Sequence, residues 1–235
     1  MKTCHGRSLA VAVLLAVLTG CGGGAAGEPQ ASTPSATPSA TLGAIPAGTA
    51  PIEPGTYRIP SSAWSMVEYT VTFPEGWTVQ DGVSYLKHPD APDGLGFGAF
   101  VPDTIYADAC EGSQGELMEV GSSVDDLAAA LLKQRGPMAS APVDTTLGGY
   151  PAIRIDLTVP KGFDLKPCNL QDALQVWFSG RADRYVFLLP REIASMYIVD
   201  VDGQRQVFQT HYGSATSGED VRELRAILDS IHIES

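Results

Sequence analysis

The sequence predicts an α+β fold: a largely antiparallel sheet with two or more helices packed on its faces and one intradomain disulfide. Three observations carry that expectation. Short runs alternate apolar and polar residues between turn residues, as in Tyr69–Phe73 and Gln204–His211. Two segments repeat their apolar residues at helical spacing instead. The connections between strands are hairpin-like, which favours antiparallel neighbours.

The chain opens with Lys2 and Arg7, an unbroken apolar run from Leu9 to Leu18, and then Thr19-Gly20-Cys21. The apolar run is too short to cross a bilayer as a mature helix, and charge, short core and small residues in that order form a secretory signal. Leu18-Thr19-Gly20-Cys21 resembles the lipobox of bacterial lipoproteins, in which cleavage precedes the cysteine and its sulfur receives a diacylglyceryl group. The resemblance implies residues 1–20 as signal peptide, Cys21 as the lipidation site, and fatty-acyl chains of the palmitate type holding the protein at the outer face of the cell membrane. Two chains, at about 0.8 kcal/mol per buried methylene, suffice for stable anchoring.

Residues 22–54 contain Gly, Ala, Ser, Thr and Pro but no aromatic residue. They offer little apolar surface against the entropy of ordering, so residues 21–54 are expected to form a disordered tether behind the lipidated cysteine. Coil scaling gives it a reach of about 30 Å. Its Ser/Thr-Pro repeats resemble O-glycosylated stalks, although an unmodified spacer satisfies the composition as well.

Residues 55–235 are expected to form a single domain. Tyr69–Phe73 alternates, breaks at Pro74-Glu75-Gly76 and resumes at Trp77–Val79, which reads as one strand kinked by a turn. Further strands are expected at 83–86, 94–101, 143–147, 150–159, 174–178, 184–188, 196–201 and 204–211. Gly148-Gly149 and Asp202-Gly203 supply turns, the latter with the signature of a two-residue hairpin. Val124, Leu127, Ala128, Leu131 and Leu132 make one helical stripe, opened by a capping-box pair, Ser123 and Asp126. A second helix opens at Ser217-Gly-Glu-Asp and carries Val221, Leu224, Ile227 and Leu228, before a short strand at 231–233.

Cys110 and Cys168 are the two thiols left to the folded part of an exported protein, which predicts a structural disulfide. A redox pair would need Cys-x-x-Cys, and a metal pair further His or Cys nearby; neither is present in these stretches.

Basic residues number 15 against 27 acidic ones, a net charge of −12 that becomes −14 once Lys2 and Arg7 leave with the signal. Such an acidic domain is not expected to bind nucleic acid. No Gly-x-Ser-x-Gly elbow or phosphate-binding glycine loop occurs in the sequence. His211 could serve as a base beside Ser214 or Ser217, but is expected at the surface of a strand end. His88 falls in a turn-rich stretch, and His232 should face outward. Asp200 and Asp202 point to one face, yet His211 stands where a calcium loop would need glutamate, and the hairpin explains Asp202. Asp90, Asp93, Asp103 and Asp108 are scattered. Arg154, Lys161, Lys166, Arg181, Arg184 and Arg191 cluster in the middle third and read as a solvated face. Trp64, Trp77, Trp177, Tyr150, Tyr185, Tyr197 and Tyr212 read as packing residues. No catalytic residue, metal ligand or cofactor site is therefore expected.

Tyr69–Trp77, Gly149–Arg154, Tyr197–Arg205 and Leu224–Ile231 together resemble a family of uncharacterised exported lipoproteins of actinobacteria, and more distantly the PsbP-like α/β sandwich. The resemblance implies an antiparallel sheet carrying helices on its faces, and binding in preference to catalysis. The expected function is a membrane-anchored binding or accessory domain, with its protein or small-ligand partner unknown. The alternatives are an envelope hydrolase, with His211 and Asp200 the first residues to mutate, or a structural partner of a membrane complex.

Overall fold

The computed structural model describes residues 42–234. The signal peptide, Cys21 and the tether as far as residue 41 lie outside the described residues. Ordered structure begins ahead of Gly55, the expected boundary. Strands β1 (Gly43–Ala44) and β2 (Ala50–Pro51) precede β3 (Gly55–Ile59). Ile52, 3% exposed, enters the core, and its N–H donates to the Trp77 carbonyl at 2.8 Å. Backbone pairing and one buried side chain hold a segment whose composition reads as tether.

Strands β4 (Tyr69–Phe73), β5 (Thr78–Gln80), β6 (Ser84–Lys87), β7 (Leu95–Phe100), β8 (Thr104–Tyr106) and β9 (Leu117–Glu119) lead to helix α1 (Val124–Lys133). There follow β10 (Met138–Ala139), β11 (Val143–Leu147), β12 (Tyr150–Thr158), β13 (Leu174–Ser179), β14 (Arg184–Leu188), β15 (Glu192–Val201) and β16 (Gln204–Gly213). Helix α2 (Gly218–Asp229) and β17 (His232–Ile233) end the fold. With two helices to this many strands, the domain is mostly β, where a more balanced α+β composition was expected.

Three sheets replace the one expected. The central sheet runs β10-β12-β15-β16-β7-β6-β5-β2, with β11 also on β12, and is antiparallel throughout. A terminal sheet runs β1-β3-β4-β17, parallel only between β1 and β3. A side sheet runs β14-β13-β8-β9. Tyr69–Phe73 and Thr78–Gln80, expected as one kinked strand, belong to different sheets, and Gly76 at φ +90° turns the chain between them.

Local chemistry accounts for the best-defined elements. Asp202 (φ +52°) and Gly203 (φ +84°) form the turn that joins the ten-residue strands β15 and β16, and Asp200 Oδ1 accepts the Gly203 N–H at 2.7 Å. The Ser123 hydroxyl accepts the Asp126 N–H, and the Asp126 carboxylate accepts the Ser123 N–H, completing the capping box of α1. Ser217 caps α2 through the Asp220 N–H at 3.0 Å. Cys110 and Cys168 form the predicted disulfide, with Cα atoms 4.5 Å apart.

The central sheet separates two cores. On one face it packs with the terminal sheet and α2. Phe73 is the hub there, its ring within 5.0–6.0 Å of Tyr57, Trp77, Tyr85 and Phe97, with Leu224, Ile227 and Leu228 of α2 in the same cluster. On the other face, Leu127 and Leu131 of α1 and Leu174 and Trp177 of β13 cover Ile155, Leu157, Met196 and Ile198. Each fully buried aliphatic or aromatic side chain contributes about 1.5–3 kcal/mol relative to exposure.

Candidate functional site

The second face is covered over β12, β15 and β16 at Val207. Farther along β16 and over β7 and β6 it stays open above Ser84, Leu86, Gly98, Phe100, Gln209 and His211. The ladder sets His211 opposite Gly96 and Gln209 opposite Gly98, and on the next strand Leu86 opposite Gly96 and Ser84 opposite Gly98. Leu95, Phe97 and Ala99 of β7 enter the first core, so alternation turns Gly96 and Gly98 to the open face. A Cβ on Gly96 would lie 2.5 Å from the Tyr85 carbonyl oxygen and 2.9 Å from His211 Cε1, so the close approach of these strands depends on glycine.

The result is a cleft of two joined lobes, about 500 and 380 Å³, with Leu86, Leu189, Glu192 and His211 lining both. Trp64, set edge-on to Phe100 with centroids 5.8 Å apart, borders the larger lobe. Pro89, Pro92 and Pro190 wall the smaller. Strand β14 and Leu189 just after it form the opposite rim, where Tyr185, Phe187 and Leu189 are 44%, 42% and 51% exposed. An apolar cleft with a few convergent polar groups has the form of a small-molecule or peptide site.

Three polar groups meet on its floor. Burial pushes the His211 imidazole down to about 4, with no charge or hydrogen bond opposing, so the ring is neutral at neutral pH. Burial raises the Glu192 carboxyl, against a 2.8 Å hydrogen bond that Oε2 accepts from the Leu189 N–H. Gln209 is 6% exposed, and its buried Oε1 accepts no hydrogen bond among the described residues. Gln206 on the same strand is fully engaged by comparison. Its Oε1 accepts the Met66 N–H at 2.8 Å, and its Nε2 donates to the Phe100 carbonyl at 2.8 Å. A buried acceptor without a donor costs about 1–3 kcal/mol, and a ligand N–H or O–H would recover it once the Gln209 amide turns toward the lobe.

His211 thus lies in the cleft, not at the surface of a strand end as expected. Asp200 is not its neighbour. It is exposed at the far end of β15, six residues from Ala194, the ladder partner of His211, or about 20 Å along the strand. Ser217 is occupied as a helix cap. Ser214 does line the smaller lobe with His211 and Glu192, but the Glu192 carboxylate is engaged by the Leu189 N–H. His88, at φ +52° in its turn, pairs with Asp93 at 3.1 Å, and His232 is exposed. Asp103 accepts the Gly180 N–H, and Asp108 pairs with Arg135.

The basic residues do not form one patch. Arg184 and Arg191 reach the cleft, Arg154 lies beneath α2 on the opposite face beside Asp156, and Lys161 and Lys166 are exposed on a loop. Among the aromatics, Trp77 and Trp177 are core residues, while Trp64 and Tyr185 border the cleft. Sequence reading missed Glu192, Gln209, Gly96 and Gly98. One signal was there: glycine at alternate positions of one strand, Gly96 and Gly98. Among the described residues no helix is long and apolar enough to cross a membrane, and no three His, Cys, Asp or Glu side chains group as a metal site.

No protein-family model matches the chain, and no curated protein matches it. Solved structures similar to it include a protein of Bacteroides thetaiotaomicron at 12% identity and TM-score 0.34, covering 78% of this chain and 50% of that one. The chain therefore spans about half the length of that protein. The cyanobacterial PsbP (CyanoP) of Synechocystis sp. PCC 6803 is 12% identical with TM-score 0.37, covering 84% of this chain and 100% of that one. LpqN, involved in cell envelope biogenesis of Mycobacterium tuberculosis, is 13% identical with TM-score 0.29, covering 84% and 90%. At these scores no functional step rests on the likeness.

Proposed function

We propose that the chain is a non-catalytic binding domain, held by lipid at Cys21 on the extracytoplasmic face of the cell membrane, with the cleft over β16, β7 and β6 as its ligand site. The observation that carries the reading is the buried Gln209, whose Oε1 has no partner among the described residues, on the floor of a cleft that mixes apolar walls with Asp81, Arg184, Glu192 and His211. The neutral imidazole suits recognition by hydrogen bonding without the cost of burying formal charge.

The test compares the full chain with a Ser84→Phe variant, whose ring fills the larger lobe from β6, in thermal-shift assays against peptides, glycans and fatty acids. A ligand that raises the Tm of the parent but not of the plugged variant supports the reading. Turnover of a substrate that is lost in Ser214→Ala overturns it in favour of the hydrolase. For the anchor, Cys21→Ser releases the protein from the membrane fraction.

A further inference from the structure

Among the described residues, strand β14 has one partner. It closes the side sheet, pairing with β13 through Tyr185↔Phe178 and Phe187↔Gln175, and none of its backbone groups joins the hydrogen bonds that tie the described turns and loops together. Arg184, Tyr185, Val186 and Phe187 all border the larger lobe. Successive residues of a strand point to opposite faces, so four in a row border one cavity only when the edge of the strand is turned to it. The free N–H and C=O groups of β14 therefore overhang the cleft. Exposed edges are ordinarily blunted by lysine, proline, a bulge or a covering loop. Here the pairing with β13 is irregular between Gln175 and Trp177, yet β14 itself contains neither lysine nor proline and displays Tyr185 and Phe187.

Building on the cleft as the ligand site, we propose that its occupant is an extended peptide that adds to the edge of β14 as a further strand, with apolar residues at alternate positions and an acidic residue at one or both ends. Main-chain amides at strand spacing match the free edge, which neither an acyl chain nor a glycan does. Side chains at alternate positions lie about 7 Å apart on one face, a spacing that sets one into each lobe or two into the larger. A peptide N–H or side-chain donor reaches the unpartnered Gln209 amide once that side chain turns toward the lobe. Charge fixes the ends. Arg184 at the start of β14 and Arg191 just beyond its end both border the cleft, and neither takes part in an ion pair among the described residues, on a chain of net charge −12. Edge pairing alone would be indifferent to sequence; the two lobes and two arginines supply the selection.

The experiment pans a displayed library of random octapeptides against the immobilised full chain, then measures synthetic versions of the enriched peptides by fluorescence anisotropy. The expected peptides alternate apolar residues and carry a terminal acid. Reversing both charges in an Arg184→Glu, Arg191→Glu variant weakens them at least about tenfold. N-methylating one alternate set of peptide amides abolishes binding, while methylating the other set changes it by less than about threefold. Equal tolerance of both sets overturns the strand addition. So does failure of any peptide to enrich over the Ser84→Phe chain. If peptides fail but a glycan or fatty acid stabilises the parent and not Ser84→Phe, the peptide inference falls and the cleft remains the ligand site; if nothing binds, both fall.

Discussion

Replacing His211 by glutamine removes the one imidazole in the cleft and gives a direct measure of how dry its floor is. In the unfolded chain the ring takes up a proton as the pH falls through its ordinary value of 6.5; in the folded protein it resists until about 4. Between those values the unfolded state binds more protons, so stability is fully present above 6.5 and is lost as the pH falls, levelling off below the folded pKa. The displacement corresponds to about 3 kcal/mol in all, of which about 2 kcal/mol is lost by pH 5. Glu192 faces the same cleft and works in the other direction, since its raised carboxyl is less burdened as the pH falls, but it is present in both proteins. Urea unfolding of parent and His211→Gln at pH 7.5 and pH 5.0 gives the double difference. The parent should lose about 2 kcal/mol more than the variant over that interval. Parallel losses, within about 0.5 kcal/mol, would refute a dry, unpartnered imidazole and with it the enclosed floor.

Three further outcomes follow from the packing. Cys110→Ser with Cys168→Ser should lower unfolding stability by about 4 kcal/mol, from the chain-entropy effect of a link across 58 residues, and reductant should do the same to the parent but nothing to the variant. Lys87 reaches Asp220 at 2.8 Å and Glu223 at 2.9 Å with its side chain 15% exposed, so Lys87→Met leaves two carboxylates at the start of α2 without their shared cation and should cost about 1–2 kcal/mol in denaturant titration. The Lys87 and Ser217 hydrogen bonds hold the Asp220 carboxyl below its ordinary 3.8, so its contribution is present above that value and disappears as the pH falls through the folded one; the variant should show a shallower acid limb. Gly148→Ala adds a methyl at φ +62°, 2.5 Å from Ile233 Cγ1, and should cost about 1–3 kcal/mol while speeding amide exchange in β17.

What could be read from the sequence was whatever local chemistry decides. Asp202-Gly203 located the β15–β16 hairpin, and Ser123 with Asp126 located the start of α1, because turn geometry and capping need only a few adjacent residues. The fate of Pro74-Glu75-Gly76 could not be read in the same way. A turn within one strand and a turn between two sheets have the same residues, and the choice is made by Phe73 and Trp77 finding the same core from opposite sides. The terminal segment was misjudged because its pairing draws on backbone groups, to which composition is blind. The cleft was hidden for a further reason. Gly96 and His211 are neighbours through a ladder between strands more than a hundred residues apart, and it is that ladder, with α1 and the side sheet stopping short of it, that turns a strand-end histidine into part of a floor.

The two short pairings at the start of the fold also have a mechanical meaning. Any tension carried along the chain toward Leu42 is met first by Gly43–Ala44 on β3 and by Ala50–Pro51 on β5, two residues apiece, with Ile52 as the plug behind them. Such contacts release well before the long ladders of the central sheet. Residues 42–52 would then pay out at about 3.3–3.6 Å each, close to 40 Å of added reach, while β6, β7, β14 and β16 keep the cleft intact. The segment acts as a fuse in series with the fold: it gives way under load and spares the strands that frame the cleft.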